Sequence, residues 1–433
     1  MNRIALSKRF AAMGFVASVW IGMLNSPTLM MAQAGSLDPT FGKGGIVTTP
    51  NTTTGCGQVT NCSVAIQNDG KIVVAGGATA SNGAPELALA RYTTSGGLDS
   101  TFGNGGIVVE AESNGGAAFG LAIQTDGKIV TAAPNDFDLA VFRFNTNGTL
   151  DTTFGTAGVA QFRAGQLLFA PINGGLALLA DGKIVVGVNG VLVRLLTDGQ
   201  LDSSFGTGGI APLITGAQAL ALLSNGKALV ASSFTFNTGG VSRYNSNGSL
   251  DKAFGVVGQT PSFGGVAALV ALGDGKIIVG SGLASGTTTS AGTPQGFLLT
   301  QYNSDGTIDT TFGTRGAVVT NFPGEGFSGV AALAVQSNGD IVAAGVTEAK
   351  SPAFGAGPSD FALARYTPNG HLDTTFGKNG RVTTAFGTNG GNAAAVSALA
   401  IQSDGKIVAV GFDNSLQFGN PNNGFTLARY LAQ

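Results

Sequence analysis

Residues 120–155 read GLAIQTDGKIVTAAPNDFDLAVFRFNTNGTLDTTFG, and this stretch contains the features that decide the fold. Two short apolar runs, residues 120–124 and 128–132, flank an Asp-Gly pair, which favours a tight hairpin turn. A third run, residues 139–144, leads through Asn-Gly to a Leu-Asp-Thr-Thr-Phe-Gly motif and a fourth run near residues 158–162. The stretch therefore predicts four short strands, A to D, joined as antiparallel hairpins. Because no long segment has apolar residues at the 3.6-residue period of a helix, we expect very little helix.

Three motifs of this stretch recur seven times in the same order. The motif Leu/Ile-Asp-x-x-Phe-Gly has its aspartates at Asp38, Asp99, Asp151, Asp202, Asp251, Asp309 and Asp373. The Asp/Asn-Gly turn, usually followed by Lys, has its glycines at Gly70, Gly127, Gly182, Gly226, Gly275, Gly339 and Gly405. The third motif, Arg-Tyr or a variant, begins at Arg91, Arg143, Arg194, Arg243, Gln301, Arg365 and Arg429. Seven units of about 57 residues, each with four antiparallel strands, predict an all-β chain forming a single seven-bladed β-propeller. A solenoid is the alternative, but a unit with three hairpins does not fit one coil of a solenoid.

The two ends of the repeat region complement each other. The first motif, at Leu37-Asp38, belongs to the D part of a unit, whereas residues 427–430 form a C part without a following D strand. We therefore expect residues 45–49 to complete the last blade, which would close the ring and remove free strand edges.

The motif arginine precedes the motif aspartate by eight residues in every complete copy. This spacing spans the C–D turn and predicts a charge-assisted bond between guanidinium and carboxylate. The predicted structural pairs are Arg91 with Asp99, Arg143 with Asp151, Arg194 with Asp202, Arg243 with Asp251, and Arg365 with Asp373; Arg429 is expected to meet Asp38 across the ring closure. Seven cation sites are the functional alternative, which we disfavour because an arginine-paired carboxylate is a poor metal ligand.

These motifs, in seven ordered copies from Leu37 to Tyr430, resemble the delta-60 repeat family of bacterial exported proteins, whose repeats are assigned to a β-propeller. The resemblance supports the fold and brings no catalytic residues, because the biochemical role of that family is undefined. Three places depart from the repeat: Gln301, the turn at residues 338–340, and residues 256–258. We expect these departures to alter local pairing and not the fold.

The N-terminus has the pattern of an export signal. Arg3, Lys8 and Arg9 precede an apolar run over residues 10–24, and Ala32-Gln33-Ala34 fits a small-x-small cleavage site. We predict a signal peptide over residues 1–34, cleaved after Ala34, followed by the propeller over residues 35–433; an uncleaved anchor is the alternative. No second long apolar stretch follows, so we expect no membrane span in the mature chain. The expected location is secreted, periplasmic or on the cell surface of a bacterium.

Composition excludes several classes of function. Only 11% of residues are charged and the net charge is −2, so we expect no nucleic-acid binding. A single histidine, His371, and two cysteines, Cys56 and Cys62, exclude zinc clusters, haem attachment and Cys–His catalysis. In an oxidising compartment Cys56 and Cys62 could form a disulfide, with two free buried thiols as the alternative. We expect no cofactor, and calcium stays open.

Nine acidic residues lie outside the recurrent motifs, and all fall in or beside the variable B–C loops and D–A connections. We call the end of the ring that carries these segments the loop face, and the end that carries the short A–B and C–D turns the turn face. Besides Glu86, the nine are the candidate binding residues Glu110, Glu112, Asp136, Asp138, Glu325, Glu348, Asp360 and Asp413. We expect the first four of these candidates to share one blade. Simple solvation of a charge-poor protein is the alternative explanation.

The sequence thus favours a noncatalytic, exported binding or scaffold propeller, expected to be a monomer. Its acidic loop face would be presented to an unknown protein, a cation or a surface polymer. The alternative is a secreted, carboxylate-dependent hydrolase or lyase with its site at the channel mouth. That alternative needs two acids about 5–10 Å apart.

Overall fold

The computed structural model describes residues 33–49, 54–56, 62–80, 83–110, 116–135, 138–162, 174–188, 190–235, 238–261, 265–281, 296–349, 358–386, 393–413 and 424–433. These residues form 28 strands and, within these ranges, no helix. In chain order the strands are β1 (Ile46–Thr48), β2 (Thr54–Gly55), β3 (Ser63–Ile66), β4 (Ile72–Thr79), β5 (Pro85–Tyr92), β6 (Ile107–Glu110), β7 (Gly120–Ile123), β8 (Ile129–Asn135), β9 (Asp138–Phe144), β10 (Val159–Phe162), β11 (Gly174–Leu178), β12 (Ile184–Val188), β13 (Val191–Leu195), β14 (Ile210–Pro212), β15 (Ala219–Leu222), β16 (Ala228–Thr235), β17 (Thr238–Tyr244), β18 (Ala268–Ala271), β19 (Ile277–Ser281), β20 (Phe297–Tyr302), β21 (Ala317–Thr320), β22 (Glu325–Val335), β23 (Ile341–Ala349), β24 (Ser359–Tyr366), β25 (Arg381–Thr384), β26 (Ala394–Ile401), β27 (Ile407–Asp413) and β28 (Thr426–Tyr430).

The strands form seven antiparallel sheets, one for each copy of the repeat, and this confirms the predicted seven-bladed β-propeller. Blade 1 contains β2 to β6, blade 2 contains β7 to β10, and blade 3 contains β11 to β14. Blades 4, 5 and 6 contain β15–β17, β18–β21 and β22–β25, and blade 7 contains β26–β28 together with β1. Because neighbouring strands are antiparallel, the A–B and C–D turns of a blade lie at the same end of its sheet.

Strand β1 is the outermost strand of blade 7. It pairs with β28 through Ile46 opposite Ala428 and Val47 opposite Leu427. The preceding residues continue this contact, since the amide of Asp38 donates to the carbonyl of Arg429 at 2.8 Å. The two ends of the described chain therefore meet in one sheet.

The A–B turns depend on glycine at one position. In blade 2 the amide of Gly127 donates to the carbonyl of Gln124 at 2.9 Å, and Gly127 has a φ of 84°. That left-handed conformation is accessible to glycine at little cost. The side chain of Asp126 accepts from the amide of Lys128 at 3.1 Å, which secures the turn.

Small residues on the innermost strands allow the blades to approach one another closely. A Cβ atom added to Gly120 would lie 2.6 Å from the Cβ atom of Leu176 in the next blade. The same addition at Gly175 would lie 2.5 Å from the Cβ atom of Leu220. The apolar core is accordingly divided into clusters that span neighbouring sheets, such as the cluster that contains both Val130 of blade 2 and Val186 of blade 3.

Blade 4 departs from the four-strand pattern within the described residues. Its outer strand is reduced to an isolated bridge between Ser242 and Gln259, and the amide of Thr260 donates to Val241 at 2.9 Å. Pro261 follows directly and has no amide hydrogen with which to extend the ladder. The preceding turn holds Val257 at a φ of 52°, which is unusual for a β-branched residue. This is one of the three places where the repeat motif changes.

Candidate functional site

The innermost strands of all seven blades line a central cavity of about 510 Å³. Its described lining consists mainly of small and aliphatic residues, with Ser63, Gln218 and Ser397 among the polar members. None of these lining residues is acidic or basic. The described channel wall therefore offers polar backbone and neutral side chains, and no group for acid–base chemistry.

The turn face carries a repeated cluster centred on each motif aspartate. In blade 2, Nε of Arg143 donates to Oδ2 of Asp151 at 2.7 Å, and the amide and hydroxyl of Thr153 donate to Oδ1 at 3.1 and 2.7 Å. The guanidinium carbon of Arg143 lies 4.6 Å from the centre of the Phe154 ring. The aspartate thus accepts from arginine and also closes its own turn, as its position in the motif suggests.

All six predicted Arg–Asp pairs are in contact. The Nε to Oδ2 distances are 2.9 Å for Arg91–Asp99, 2.7 Å for Arg143–Asp151, 2.8 Å for Arg194–Asp202, 2.8 Å for Arg243–Asp251, 2.7 Å for Arg365–Asp373 and 2.9 Å for Arg429–Asp38. The last pair joins residues 391 positions apart. In each of the six, the guanidinium also donates to a backbone carbonyl of the following blade, at Thr146, Thr197, Ser246, Ser304, Ala432 and Thr94 respectively. These arginines therefore join adjacent blades as well as the two ends of the C–D turn.

Six of the seven clusters also contain a lysine, and the sequence had given no indication of its role. The lysine that follows the Asp/Asn-Gly turn approaches the motif aspartate in six blades, at distances of 2.7 to 3.3 Å: Lys71 to Asp99, Lys128 to Asp151, Lys183 to Asp202, Lys227 to Asp251, Lys276 to Asp309 and Lys406 to Asp38. The recurrence of lysine after the turn was the available signal. Its meaning depends on the A–B and C–D turns meeting at the turn face, which spacing alone does not reveal.

The electrostatic surroundings keep the motif carboxyls ionised. Burial raises the pKa of Asp99, but hydrogen bonds from Thr101 and Lys71 and the charge of Arg91 outweigh it and hold the pKa well below its usual range. Asp202 follows the same rule, with the Ser204 hydroxyl making the largest contribution to its lowered pKa. These carboxylates are already hydrogen-bonded and ion-paired to neighbouring side chains, so they are poorly suited to catalysis.

Among the predicted loop-face acids, Glu325 and Asp360 share one side of blade 6. Asp360 lies opposite Thr347 in the sheet, and Glu325 lies opposite Ala349, two residues further along the same strand. Burial raises the pKa of Glu325, and the nearby charge of Asp360 raises it further. Burial also raises the pKa of Asp360. Neither forms an ion pair with any described residue.

Glu348 and Asp413 point instead into the interface between blades 6 and 7. Glu348 alternates with Thr347 and so lies on the opposite side of blade 6 from Asp360. Burial raises its pKa. Asp413 of β27 is buried and is placed opposite Ala394. The four acids of blades 6 and 7 therefore do not converge on a single point.

The remaining candidates do not form one group. Glu110 ends β6 in blade 1, whereas Asp138 begins β9 in blade 2. The prediction that these residues share one blade was wrong, because β6 pairs with the preceding β5 and not with the strands that follow it. Glu112 and Asp136 lie outside the described residues, and of Asp138 only the backbone is described.

Cys56 and Cys62 form a disulfide with Cα atoms 5.4 Å apart. Both residues are buried in the cluster that contains Val74 of blade 1 and Leu427 of blade 7. The predicted signal peptide lies outside the described residues except for Gln33 and Ala34, and its cleavage stays a prediction. Within the described ranges no group of three acidic, histidine or cysteine residues could hold a metal ion. Those ranges also contain no helix long and apolar enough to cross a membrane.

A family described as "Domain of unknown function (DUF5122) beta-propeller" matches seven segments, residues 67–102, 124–154, 179–205, 223–254, 272–312, 336–376 and 402–433. Together the segments cover more than half of the chain, and each contains one Asp/Asn-Gly turn. The first six also contain the Arg–Asp spacing or its Gln301 variant, whereas the last contains Arg429 without a downstream motif aspartate. No curated protein matches the chain in sequence.

Several solved structures are similar in fold at low sequence identity. Virginiamycin B lyase from Staphylococcus aureus is 10% identical with a TM-score of 0.49, and the match covers 89% of this chain and 98% of the lyase. A catalytically inactive form of that lyase with quinupristin is 11% identical with a TM-score of 0.50, covering 88% and 98%. A fungal alcohol oxidase in complex with copper is 13% identical with a TM-score of 0.46, covering 89% and 75%. At these identities the likeness concerns the fold alone.

Proposed function

We propose that this chain, which belongs to the DUF5122 β-propeller family, is an exported, noncatalytic binding or scaffold propeller of the delta-60 type. Its acidic loop face would be presented to a basic partner or a cation. One observation carries the proposal: Glu325 and Asp360 are held on the same side of blade 6 at the loop face, with raised pKa values and no ion pair among the described residues. The positive charge of a cationic partner would offset both the desolvation penalty of the two carboxylates and their mutual repulsion.

The channel favours binding over catalysis. An enzyme that uses paired carboxylates requires acids at its reacting centre. The described channel lining contains none, and the repeated carboxylates of the turn face are already bonded to arginine and lysine. The enzyme alternative would then depend on Glu325 and Asp360 themselves, as a pair with separated roles.

A binding comparison with matched charge tests the proposal. The loop-face variant carries Glu325→Gln and Asp360→Asn, and the control carries Asp198→Asn and Asp305→Asn on the turn face. Both variants remove two negative charges, and the control residues accept amide hydrogens that asparagine also accepts, at 3.0 Å for Asp198 and 2.9 Å for Asp305. Calcium and a lysine-rich peptide serve as probes, read by calorimetry and by thermal shift.

We expect the loop-face variant to lose at least about tenfold in affinity for one probe, while the control keeps it. Equal loss in both variants would mean that net charge alone is being measured, and the proposal would fail. Absence of a thermal shift with millimolar calcium would remove the cation form of the proposal. Turnover of a substrate that disappears in the loop-face variant would replace binding by the enzyme alternative.

A further inference from the structure

The fifth blade lacks the arginine that the other six blades use at the turn face. In those six, the guanidinium is bonded to the motif aspartate, donates to a carbonyl of the next blade and lies over the motif phenylalanine ring at 4.3 to 4.7 Å. Gln301 takes this position in blade 5. It is opposite Ile278 in the sheet, just as Arg143 is opposite Val130 in blade 2.

The groups that surround the Arg194 guanidinium in blade 3 all have counterparts around Gln301. Asp309 accepts from the Thr311 hydroxyl at 2.6 Å, and Phe312 is fully buried at the motif position. The Asp309 carboxylate accepts from a single cation, Lys276, at 2.8 Å, whereas in blades 1 to 4 and 7 the equivalent carboxylate accepts from both an arginine and a lysine. Blade 5 therefore has one positive charge fewer beside its motif carboxylate.

The partner carbonyl of the next blade is also in place. The amide of Gly313 donates to the carbonyl of Asn369 in blade 6 at 2.9 Å, as Gly155 donates to Asp198 in blade 3 at 2.8 Å. Blades 5 and 6 are thus docked as blades 2 and 3 are. This equivalence makes the carbonyl of Pro368 the counterpart of the Thr197 carbonyl that accepts from Arg143.

The side-chain amide nitrogen of Gln301 lacks a hydrogen bond. Only 3% of the residue is exposed, and its Nε2 atom is buried without a hydrogen-bond partner. Buried amide groups are normally hydrogen-bonded. The neighbouring position on the A–B turn is Leu272 in this blade, so it offers no polar atom, whereas the equivalent Gln336 and Gln402 accept from Arg365 and Arg429.

We propose that the interface between blades 5 and 6 binds the guanidinium group of an arginine-like ligand. The group would be held by the Asp309 carboxylate, the Pro368 carbonyl and the face of Phe312, as the counterparts of these groups hold arginine in other blades. The Gln301 amide would turn its oxygen towards the guanidinium. Clefts of about 440, 460 and 560 Å³ adjoin the equivalent Arg91, Arg194 and Arg429 at the turn face, so we expect the ligand to enter from that face. This site is independent of the loop-face proposal.

Two substitutions test the site between blades 5 and 6: one fills it with an arginine side chain, and the other creates a similar site in blade 3. Gln301→Arg supplies the guanidinium covalently and should therefore weaken binding of a free guanidinium compound. Arg194→Gln reproduces the site in blade 3, which already resembles blade 5 because Leu179 occupies the position of Leu272 and Lys183 pairs with Asp202 at 3.1 Å. It should therefore create a second site.

The experiment is a calorimetric titration of the full chain with methylguanidinium, with methylammonium as the control cation. We expect one site in the wild type with a Kd on the order of millimolar, because the probe has very few heavy atoms. Gln301→Arg should weaken binding by at least about tenfold, Arg194→Gln should raise the stoichiometry from one to two, and methylammonium should bind at least about tenfold more weakly.

Three results would overturn the proposal: no heat of binding in the wild type up to about 50 mM probe, unchanged binding in Gln301→Arg, or equal affinity for methylammonium. If Gln301→Arg fails to fold, the stoichiometry of Arg194→Gln decides. N-acetylarginine amide and an arginine-containing peptide then distinguish a small ligand from the side chain of a partner protein. Binding of neither, with methylguanidinium bound, would restrict the site to small guanidinium compounds.

Discussion

Two arginines of the turn face should differ sharply in their contribution to stability, although they occupy the same motif position. In blade 3, Arg194→Gln removes the bond to Asp202, the bond to Ser204 at 2.9 Å and the contact with the next blade. Asp202 keeps Lys183 at 3.1 Å, so its charge stays compensated. We expect a loss of about 2–3 kcal/mol in the free energy of unfolding.

In blade 6, Arg365→Gln has a different consequence for the carboxylate. Asp340 stands where the other blades have lysine, so Arg365 is the cation that pairs with Asp373. The substitution leaves a carboxylate, with 15% of its side chain exposed, without a cation in contact. Breaking such a pair costs about 3–5 kcal/mol, so Arg365→Gln should be more destabilising than Arg194→Gln by about 1–2 kcal/mol.

A double-mutant cycle isolates the cause of this difference. Asp340→Lys restores the lysine of the repeat and should stabilise the Arg365→Gln background by about 1 kcal/mol more than it stabilises the wild type. Urea denaturation is suitable because urea is uncharged, and the free energies of unfolding of the four proteins, obtained from their midpoints and m-values, give the coupling energy. Equal losses for Arg194→Gln and Arg365→Gln, or no coupling with Asp340→Lys, would refute the claim that lysine shares the motif carboxylate.

Three further outcomes follow from the structure. Because burial raises the pKa of Glu325 and Asp360, their protonated forms stabilise the fold below their ordinary pKa of about 4, and this contribution is lost as the pH rises through the raised folded-state values. The Glu325→Gln and Asp360→Asn variant should therefore have a higher urea midpoint than the wild type near neutral pH and an equal midpoint in acid. A lower midpoint of the variant at neutral pH would contradict this expectation. Replacing Cys56 and Cys62 by serine opens a loop with a sequence separation of 6 and should cost about 2 kcal/mol, measured as the difference in urea stability under oxidising conditions; a loss that persists when both proteins are reduced would assign the effect to packing instead. Val257→Gly should raise stability by about 1 kcal/mol by relieving the φ of 52°, and Ala157→Gly at the same motif position of blade 2, with a φ of 53° and no branch at Cβ, is the control that should gain less.

Much of the fold could be predicted from the sequence because the repeat reports the same local structure seven times. Glycine at the turns, alternating short apolar runs and a constant Arg–Asp spacing each recur at one register, so chance agreement is small. The position of Leu37-Asp38 at one end and residues 427–430 at the other also made it possible to anticipate that β1 would complete blade 7.

The candidate site was less predictable because its residues lie outside the repeat. Sequence position placed Glu110 and Asp138 in one blade, whereas the strand ladders place them in two. Glu325 and Asp360 are 35 positions apart and meet only because β22 and β24 flank β23. The role of the turn lysines was equally hidden, since Lys406 and Asp38 lie at opposite ends of the chain.

Symmetry makes the departures from the repeat more informative than the repeat itself. The recurrent spacing of arginine, lysine and aspartate is explained by contacts within and between blades, so the charges of these residues are already paired within the fold. Blade 5 keeps lysine and loses arginine at Gln301, while blade 6 keeps arginine and loses lysine at Asp340, so adjacent blades each retain one cation on the motif carboxylate. Losing both in one blade would leave a carboxylate at the blade interface without a counter-charge, which is strongly destabilising. We therefore expect the remaining cation to limit how far a blade can depart from the motif, and in blade 5 the retained Lys276 is what would leave the guanidinium position open to the proposed ligand.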